Sequence, residues 1–426
     1  MLIDFKKHIE KNFSNIIGKK LLICVSSGVD SMVLLKLFQN LNYNISVAHC
    51  NFKLRDDESD ADADFIKNYC KSNNITFHYK EFNTNIPNNS IQMSARKLRY
   101  EWFHELSTTY KINYILTGHH LEDSLETFLI NISRSTGLEG LLGIKEENYN
   151  VVRPLLTYSK NQLIEYAKQS NLKWREDSSN SKSDYLRNKF RNNIVPLLLE
   201  LNPEFIKNFS NTISYLKKDN LIIEQVIDDF KKKHFKSKPN VIQIKKHLIK
   251  SLDQNFIFRL FKKYGFKNSN EIFDLCFSST GKIIHSKKYS LLSDRENLLL
   301  KKNNNKKIEN FFYNNSTDFT LPDNIKIEEG DFNERLDNSL YLDKKNINFP
   351  ITIRRWIRGD YIYPTGMKGK KLISKIFKDK KLSKYEKEEQ LVVEDCDHIL
   401  WLVGIRFDKR KYNEQNLNFK ISKIDK

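Results

Sequence analysis

Short apolar runs alternate with amphipathic segments through the first half of the chain. The first pair is the sharpest: an apolar run at residues 21–25 leads into the turn SSGVDS, and a helical pattern with Met32, Leu35 and Phe38 on one face follows at once. Further strand-like runs lie at 45–52, 75–82 and 113–119, and helix-like segments at about 57–73, 90–111 and 122–134. The alternation predicts an α/β fold with a doubly wound parallel sheet.

The turn between the first strand and its helix has the chemistry of an anion-binding site. A helix start offers unpaired N–H groups and the positive end of the helix dipole, and small residues let a ligand approach the backbone. The sequence has neither the glycine-then-lysine of the triphosphate P-loop nor the three glycines of the dinucleotide motif. The alternative, an ordinary helix capped by Ser26 or Ser27, stays open on these six residues alone.

Several polar residues follow the predicted strands at the same edge of the sheet. The SSGVDS turn, His49 and His119 all lie at carboxyl ends of strands, where doubly wound sheets bind ligands. Asn51 and Arg55 are expected near that edge too. Asp123 and Glu126, three residues apart, share one helix face and suit Mg²⁺ or an ammonium group. Taken singly, they are more typical of acids that complement a helix dipole, but beside a phosphate loop at the same edge the binding role is favoured.

The charge of the chain favours a polyanionic partner. Its 426 residues include 72 Lys and Arg against 53 Asp and Glu, a net charge of +19, and nucleic acid is the first candidate. A Lys- and Asn-rich composition without partner meaning is the plainer alternative. The five cysteines form no C-x-x-C pair, which argues against a zinc ribbon or a redox pair.

The sequence also predicts a cytoplasmic protein of two or three domains. The N-terminus lacks the apolar core of a signal peptide, and no run of about 18 apolar residues indicates a membrane span. Residues 1–205 are expected to form the catalytic domain, 206–310 a helical middle domain and 321–426 a small basic α+β domain. The Asn/Lys-rich segment 301–319 is typical of a linker or a ragged loop.

A set of motifs resembles the tRNA(Ile)-lysidine synthetase family of PP-loop ATP pyrophosphatases. In chain order these are SSGVDS, HCNFKLR, SARKLRYEWF, GHHLEDSLET, RPLL, EDSSN and LRNKFRNNIVPLL, and RRWIRGDYIYPTGMKGKKLISKIFKDKK and HILWLVGIRFD near the end. The resemblance covers about 19–205 and 349–408. Two departures are Ser27, where the usual loop has glycine, and Phe52, where many members have His.

The resemblance implies a Rossmann-like catalytic domain and a defined reaction. ATP would adenylate the wobble cytidine of a tRNA(Ile) with a CAU anticodon, releasing pyrophosphate. The ε-amine of free lysine would then displace AMP at C2. The product, lysidine, pairs with A rather than G, so the tRNA would read AUA instead of AUG and accept isoleucine.

The resemblance also implies roles for named residues. The phosphates would be held by Ser26, Ser27, Gly28, Val29, Asp30 and Ser31, with His49 nearby. Asp30 would hold Mg²⁺, and Arg96 and Arg99 would stabilise negative charge. Asp123 and Glu126 would receive the lysine ammonium or contact the cytosine, and His119 would accept a proton with a pKa tunable near neutrality.

Two basic runs become candidates for tRNA phosphate contact once a tRNA substrate is implied, although solvated charged faces would look the same. One holds Arg187, Lys189 and Arg191. The other, residues 368–384, has eight Lys against one Asp and includes Lys368, Lys370, Lys371 and Lys375. The expected partners are tRNA, ATP, Mg²⁺ and lysine, with no membrane, and assembly as a homodimer stays open.

Two other functions compete with this one. A PP-loop tRNA thiolase would use paired cysteines, and the missing C-x-x-C counts against it. An RNA-binding protein with a decayed nucleotide loop would explain Ser27 without catalysis.

Overall fold

The structure is a computed structural model that describes residues 1–53, 56–82, 91–176, 186–303, 310–314, 321–322, 324–332, 338–411 and 417–424. It divides into two compact units, Met1–Glu224 and Gln225–Lys426. Arg55, the expected helix start at Ser90 and most of the EDSSN motif lie outside the described residues. Among the described residues, no helix is both long enough and apolar enough to span a membrane.

A six-stranded sheet forms the centre of the first unit. Its strands are β1 (Leu21–Cys24), β2 (Ile45–Asn51), β3 (Thr76–Glu81), β4 (Tyr114–Thr117), β5 (Glu147–Asn148) and β6 (Val151–Val152). The order is β3-β2-β1-β4-β6-β5, parallel throughout except for the β5 edge. This confirms the doubly wound sheet, with β1 between β2 and β4 at the point where the strand order reverses.

Helices cover both faces of this sheet because its central strands are apolar on both sides. They are α1 (Leu2–Asn12), α2 (Val29–Asn40), α3 (Asp56–Ser72), α4 (Ile91–Thr109), α5 (Leu121–Ser133), α6 (Leu138–Leu141) and α7 (Lys160–Gln169). Met32, Leu35 and Phe38 of α2 are fully buried in a core that also takes Phe5 from α1. Trp102 and Phe103 of α4 pack on the opposite face.

The last part of the first unit is helical and packs on α5. α8 (Leu186–Lys189) continues through a π-helical turn, Phe190–Ile194, into α9 (Val195–Leu201). The long helix α10 (Phe205–His234) follows and contains the boundary between the units. Leu125 of α5, Val195 and Phe209 share one apolar cluster, which fixes the π-helical turn beside the start of α5.

The second unit begins with helices and a five-stranded antiparallel sheet. The helices α11 (Lys246–Lys250), α12 (Gln254–Phe261) and α13 (Ser269–Leu275) agree with the expected helical middle region. The strands are β7 (Lys236–Lys238), β8 (Val241–Lys245), β9 (Ile283–His285), β10 (Tyr289–Asp294) and β11 (Asn297–Lys302). Their sheet, in the order β7-β8-β11-β10-β9, does not follow from the sequence patterns.

The C-terminal part of this unit is the expected α+β mixture of short strands and helices, with two helices, α14 (Ile373–Asp379) and α15 (Lys384–Glu389), where one basic helix was expected. Its strands are β12 (Phe311–Tyr313), β13 (Ile325–Glu329), β14 (Ser339–Leu342), β15 (Ile351–Arg355), β16 (Tyr361–Ile362), β17 (Lys371–Leu372), β18 (Leu391–Glu394), β19 (Ile399–Leu402), β20 (Arg406–Phe407) and β21 (Phe419–Lys423). They form the sheets β12-β15-β18-β19-β20, β13-β21-β14 and β16-β17. Trp401 and Phe419 are buried at the centre.

Candidate active site

A cavity of about 1230 Å³ opens at the carboxyl ends of β1 and β4 in the first unit. This is the edge at which the sequence predicted a single site. Its lining includes most of the SSGVDS loop and the predicted residues Arg96, Arg99, His119, Asp123, Glu126 and Arg191. Residues more than 160 positions apart in the sequence therefore share one space.

The loop between β1 and α2 is braced by its own side chains. Ser31 Oγ accepts a hydrogen bond from the Ser26 N–H at 3.1 Å and donates to the Gly28 carbonyl at 2.9 Å. Ser27 has φ = +68°, whereas Gly28 has φ = −67°. The loop thus needs the left-handed conformation where the usual motif has glycine, and Ser27 adopts it despite its Cβ.

His49 lies behind this loop. It is buried, its Nδ1 is 2.8 Å from the Val25 carbonyl oxygen, and its ring stacks on Tyr79. Burial lowers its pKa, an effect that the hydrogen bond to Val25 opposes. In the described part of the chain, the cavity lining does not include His49. This position suits support of the loop, and contact with ATP stays a prediction.

Gly118 allows β4 to end directly against the first turn of α2. A Cβ at this position would lie 3.1 Å from both the Asp30 carbonyl carbon and the Ser31 nitrogen. Such contacts are tighter than ordinary packing, so a side chain here would push the two segments apart. The close approach brings His120 Nε2 to 3.8 Å from Asp30 Oδ2.

Asp30 is paired with a lysine that sequence reasoning missed. Lys160 Nζ lies 2.7 and 2.8 Å from the two carboxylate oxygens of Asp30. The Asp30 side chain is 26% exposed and lines the cavity. Because Mg²⁺ is usually held by one or two carboxylates together with substrate phosphates and water, these residues fit a Mg²⁺–ATP complex once Lys160 leaves the carboxylate.

The pKa values of the two histidines of GHHLEDS shift in opposite directions. Burial lowers the pKa of His119 to about 4, although the Asp123 charge opposes this shift. The expectation of a pKa near neutrality is therefore not met, because desolvation outweighs the nearby carboxylate. For His120, burial also favours the neutral form, but the hydrogen bond to Glu122 and the charges of Asp123 and Asp30 raise its pKa overall.

Asp123 and Glu126 form a compact cluster with Arg187 and Arg191. Arg187 Nε donates to Glu126 Oε2 at 2.6 Å, and Arg191 Nε donates to Glu126 Oε1 at 2.5 Å. Both guanidinium groups also donate to Asp123 Oδ1 at 3.1 Å. Burial alone would raise the Asp123 pKa, but His120, His119 and Arg187 hold it at about 2.

The π-helical turn between α8 and α9 holds Arg191, one of the two arginines of this cluster. Arg187 lies in α8 and Arg191, four residues later, lies in the π-helical turn, and both side chains reach the acids of α5. Their side chains remain 38% and 37% exposed, whereas that of Glu126 is 1% exposed. The arginines predicted to contact tRNA thus lie at the candidate active site, and a tRNA contact stays a prediction.

Arg96 and Arg99 lie on α4 with exposed side chains at the cavity. Arg99 lies over the Phe52 ring at 5.4 Å, and Arg96 over Tyr100 at 5.2 Å. Phe52 thus occupies the place of the more usual His and supports an arginine by a cation–π contact.

The predicted basic residues of the C-terminal region are a separate set in the second unit. Lys368, Lys370 and Lys375 are exposed, whereas Lys371 pairs with Asp379 at 2.6 Å. Phe377 in the same run is fully buried and packs edge-on against Trp356, so both aromatics contribute to packing.

Lys160, Glu122 and Arg175 were not predicted as site residues. Arg175 donates its backbone N–H to the Ser27 carbonyl at 3.1 Å and its Nε to Asp62 at 2.6 Å. The Ser159-x-x-Gln162 capping box could have marked the start of α7. The ion pair between Lys160 at this helix start and Asp30, 130 residues earlier, has no local signal in the sequence.

Comparison with known proteins agrees with this geometry. Residues 1–198 match the family model of the PP-loop domain, 237–303 that of the TilS substrate binding domain and 351–421 that of the TilS substrate C-terminal domain. The chain is 35% identical to the tRNA(Ile)-lysidine synthase of Bacteroides thetaiotaomicron, and the alignment covers 95% of each chain. The chain belongs to the tRNA(Ile)-lysidine synthase family.

Other members of the tRNA(Ile)-lysidine synthase family match over similar lengths. The protein of Parabacteroides distasonis is 32% identical over 96% of both chains. That of Bacillus subtilis is 27% identical over 94% of this chain and 93% of its own. The end-to-end coverage means that the catalytic region and both later regions are shared with this family.

Similar solved structures are more distant. A U34-tRNA thiolase from Methanococcus maripaludis has a TM-score of 0.42 at 16% identity and covers 50% of this chain and 78% of its own. A TilS C-terminal domain has a TM-score of 0.24 at 20% identity and covers 28% of this chain and all of its own.

Proposed function

We propose that this protein is a tRNA(Ile)-lysidine synthase, which uses ATP to join lysine to C2 of the wobble cytidine in a tRNA(Ile) with a CAU anticodon. The reaction releases pyrophosphate on adenylation and AMP on ligation, and converts AUG reading to AUA reading. One observation carries the proposal. In a chain of this family, the phosphate loop, two exposed arginines and the Asp123–Glu126 cluster line a single cavity.

The ATP side of the reaction is assigned to the loop at residues 26–31. Its backbone N–H groups and the N-terminus of α2 suit the triphosphate. Asp30 is the residue that would hold Mg²⁺ when Mg²⁺–ATP binds, and the ion would neutralise charge on the departing pyrophosphate. His49 acts from behind the loop by holding the Val25 carbonyl.

We assign the steps at the cytidine to Arg96, Arg99 and His119. Arg96 and Arg99 are exposed at the cavity and can neutralise charge that develops as the base attacks ATP. Neutral His119 can accept a proton, although its low pKa makes it a weak base. The base must leave the anticodon stack to reach this cavity.

Asp123 and Glu126 can serve lysine in two ways. They can receive its α-ammonium directly, which requires Arg187 and Arg191 to give up carboxylate oxygens. Alternatively, they can hold the two arginines towards the cavity and leave lysine to other groups. The short hydrogen bonds between acids and arginines favour the second role.

The exposed lysines of the second unit are proposed to contact the tRNA phosphates away from the anticodon. Lys368, Lys370 and Lys375 are exposed, so burial does not hinder such contact. The net charge of +19 also supports it. Since tRNA and ATP are cytoplasmic substrates, we place the reaction in the cytoplasm. A homodimer stays a prediction, which sedimentation would test.

Sulfur transfer is the competing activity, and the cavity chemistry disfavours it. Cys24 and Cys50 line the cavity, but burial raises the pKa of Cys24 far above its usual range and that of Cys50 to about 12. Both therefore stay thiols at neutral pH, and the thiolate is the form that attacks or binds metal.

The direct test is to incubate the full chain with tRNA(Ile) carrying a CAU anticodon, ATP, Mg²⁺ and radiolabelled lysine. We expect lysine incorporation with one pyrophosphate and one AMP released for each lysine. A tRNA with the wobble cytidine changed to uridine is the control and should take up none. Pyrophosphate release without lysine incorporation would show a different modification, and release of neither product would refute ATP-dependent ligation.

A further inference from the structure

Lys160 holds a fixed position at the N-terminus of α7. Its backbone N–H donates to both carboxylate oxygens of Glu122, at 3.0 and 2.9 Å. Ser159 caps the helix in a capping box with Gln162. Glu122 Oε2 is in turn within hydrogen-bond distance, 2.8 Å, of His120 Nδ1. The base of the lysine side chain is therefore anchored, whereas its tip reaches Asp30.

The tip of Lys160 lies where the phosphates of ATP are expected. Asp30 belongs to the SSGVDS loop and lies in the first turn of α2, and both Asp30 and Lys160 line the cavity. The Lys160 side chain is 37% exposed, so its ammonium can exchange the Asp30 carboxylate for a ligand in that space. Rotation of a four-carbon side chain is sufficient for this exchange, because the ammonium is a point charge without a fixed donor plane.

The charge of the SSGVDS loop explains why a lysine at position 160 would favour ATP binding. A triphosphate bound next to the Asp30 carboxylate would meet like charge at close range. A triphosphate P-loop carries its own lysine after the glycines, and the SSGVDS loop does not. Lys160 supplies such a cation from a different helix, 130 residues along the chain.

We propose that Lys160 is a phosphate-binding residue that Asp30 holds in place until ATP arrives. On binding, the ammonium moves from the carboxylate to the β- and γ-phosphate oxygens, and no covalent bond changes. The same movement frees Asp30 for the cation that accompanies ATP. This inference rests on the proposed function, because it assigns a residue to the ATP step.

The test measures binding without turnover, by titrating ATP and inorganic pyrophosphate into the full chain in a calorimeter, without tRNA or lysine. Each titration is run in EDTA and repeated in Mg²⁺. We expect Lys160→Met to weaken both ligands roughly tenfold to 100-fold, the value of one charge-assisted hydrogen bond. Lys160→Arg should retain most of the affinity, and adenosine should bind wild type and variant alike.

Lys168→Met is the matched control, because Lys168 lies about two turns further along α7 and also lines the cavity. It removes the same charge without touching Asp30 and should change ATP affinity less than about threefold. If Lys160→Met and Lys168→Met lose the same affinity for ATP, Lys160 acts only through its general charge, and the proposal is wrong. Unchanged pyrophosphate binding by Lys160→Met would also overturn it. A wild-type chain that binds ATP but fails to form lysidine would contradict the proposed function instead.

Discussion

Arg191 Nε lies 2.5 Å from Oε1 of Glu126, whose side chain is 1% exposed. Arg187 takes the other carboxylate oxygen at 2.6 Å, and both guanidinium groups reach Asp123. The two acids and two arginines sum to no net charge. A lysine ammonium entering the cavity therefore meets a cluster that is already neutral, which favours an arginine-holding role for the acids.

This relationship predicts that Glu126→Gln and Arg191→Gln fail at the same step. Glu126→Gln removes the closer of the two carboxylates that hold Arg191 and leaves it only the carboxylate of Asp123, so we expect both variants to slow pyrophosphate release about 100-fold. The measurement follows pyrophosphate release and lysine incorporation separately. If Glu126→Gln still releases pyrophosphate at the wild-type rate but incorporates no lysine, the acid binds lysine directly and the arginine-holding role is wrong.

Position 27 should prefer glycine for conformational reasons. Because Ser27 has φ = +68°, Ser27→Gly removes a left-handed penalty of about 1–2 kcal/mol, and the greater entropy of the unfolded chain offsets part of this gain. We expect a net gain of up to about 1 kcal/mol in the free energy of unfolding. Gly28→Ala is the matched control, since φ is −67° there and the new Cβ would lie 3.7 Å from Ser26 Oγ, an ordinary contact. Chemical denaturation of the pair decides this, and a loss of stability in Ser27→Gly would contradict the conformational account.

His119 should make the free energy of unfolding fall in mild acid. Its pKa is about 4 in the folded chain against 6.5 for the ordinary group, so the unfolded chain binds more protons between these values. Stability therefore rises with pH through this window, by roughly 3 kcal/mol in total. Asp123 titrates near pH 2, below the window. Denaturation between pH 4 and 7 should show a shallower slope for His119→Gln, and an identical slope would refute the assignment.

Asp30→Ala should abolish ATP use and leave tRNA binding intact. The side chain lies in the phosphate loop of the first unit, and the proposed tRNA contacts are on exposed lysines of the second. Filter binding of tRNA and calorimetric titration of Mg²⁺–ATP measure the two properties separately. Lysidine formation at the wild-type rate by this variant would end the metal-holding role of Asp30.

The exposed lysines of the C-terminal region should control tRNA affinity. Changing Lys368, Lys370 and Lys375 together to Gln should weaken tRNA binding. It should also reduce the slope of the logarithm of the binding constant against the logarithm of the salt concentration by about one for each phosphate that is no longer neutralised. Lys371→Gln should have a smaller effect, because Asp379 already neutralises that charge. Binding measured from low to high salt tests this, and an unchanged slope for the triple variant would show that tRNA binds elsewhere.

The sheet and its loop edge could be predicted from the sequence because both follow from local patterns. Apolar runs that end in small or polar residues predicted β1 to β4 and placed His119 beside the loop. The five-stranded sheet β7 to β11 of the second unit was missed because its strands are only three to six residues long. Leu291 lies opposite Leu300 and Leu292 opposite Leu299 across a two-residue turn, and all four side chains are buried.

The polar contacts of the site were harder to predict, since they depend on distant partners. Lys160 meets Asp30, and Arg187 meets Glu126, across 130 and 61 positions of the chain. A charged residue at a helix end has the same local pattern whether it faces solvent or a carboxylate. The sequence shows that Ser27 is a residue that resists positive φ, but the structure alone gives its conformation.

The most direct test of the account is mass spectrometry of the nucleosides from tRNA(Ile) with a CAU anticodon after incubation with the full chain, ATP, Mg²⁺ and lysine. We predict that the wobble cytidine is replaced by a nucleoside heavier by one lysine less one water. The product should require both ATP and lysine and should be missing with Asp30→Ala. An unmodified wobble cytidine under conditions in which the wild-type chain binds ATP and tRNA would contradict the central claim.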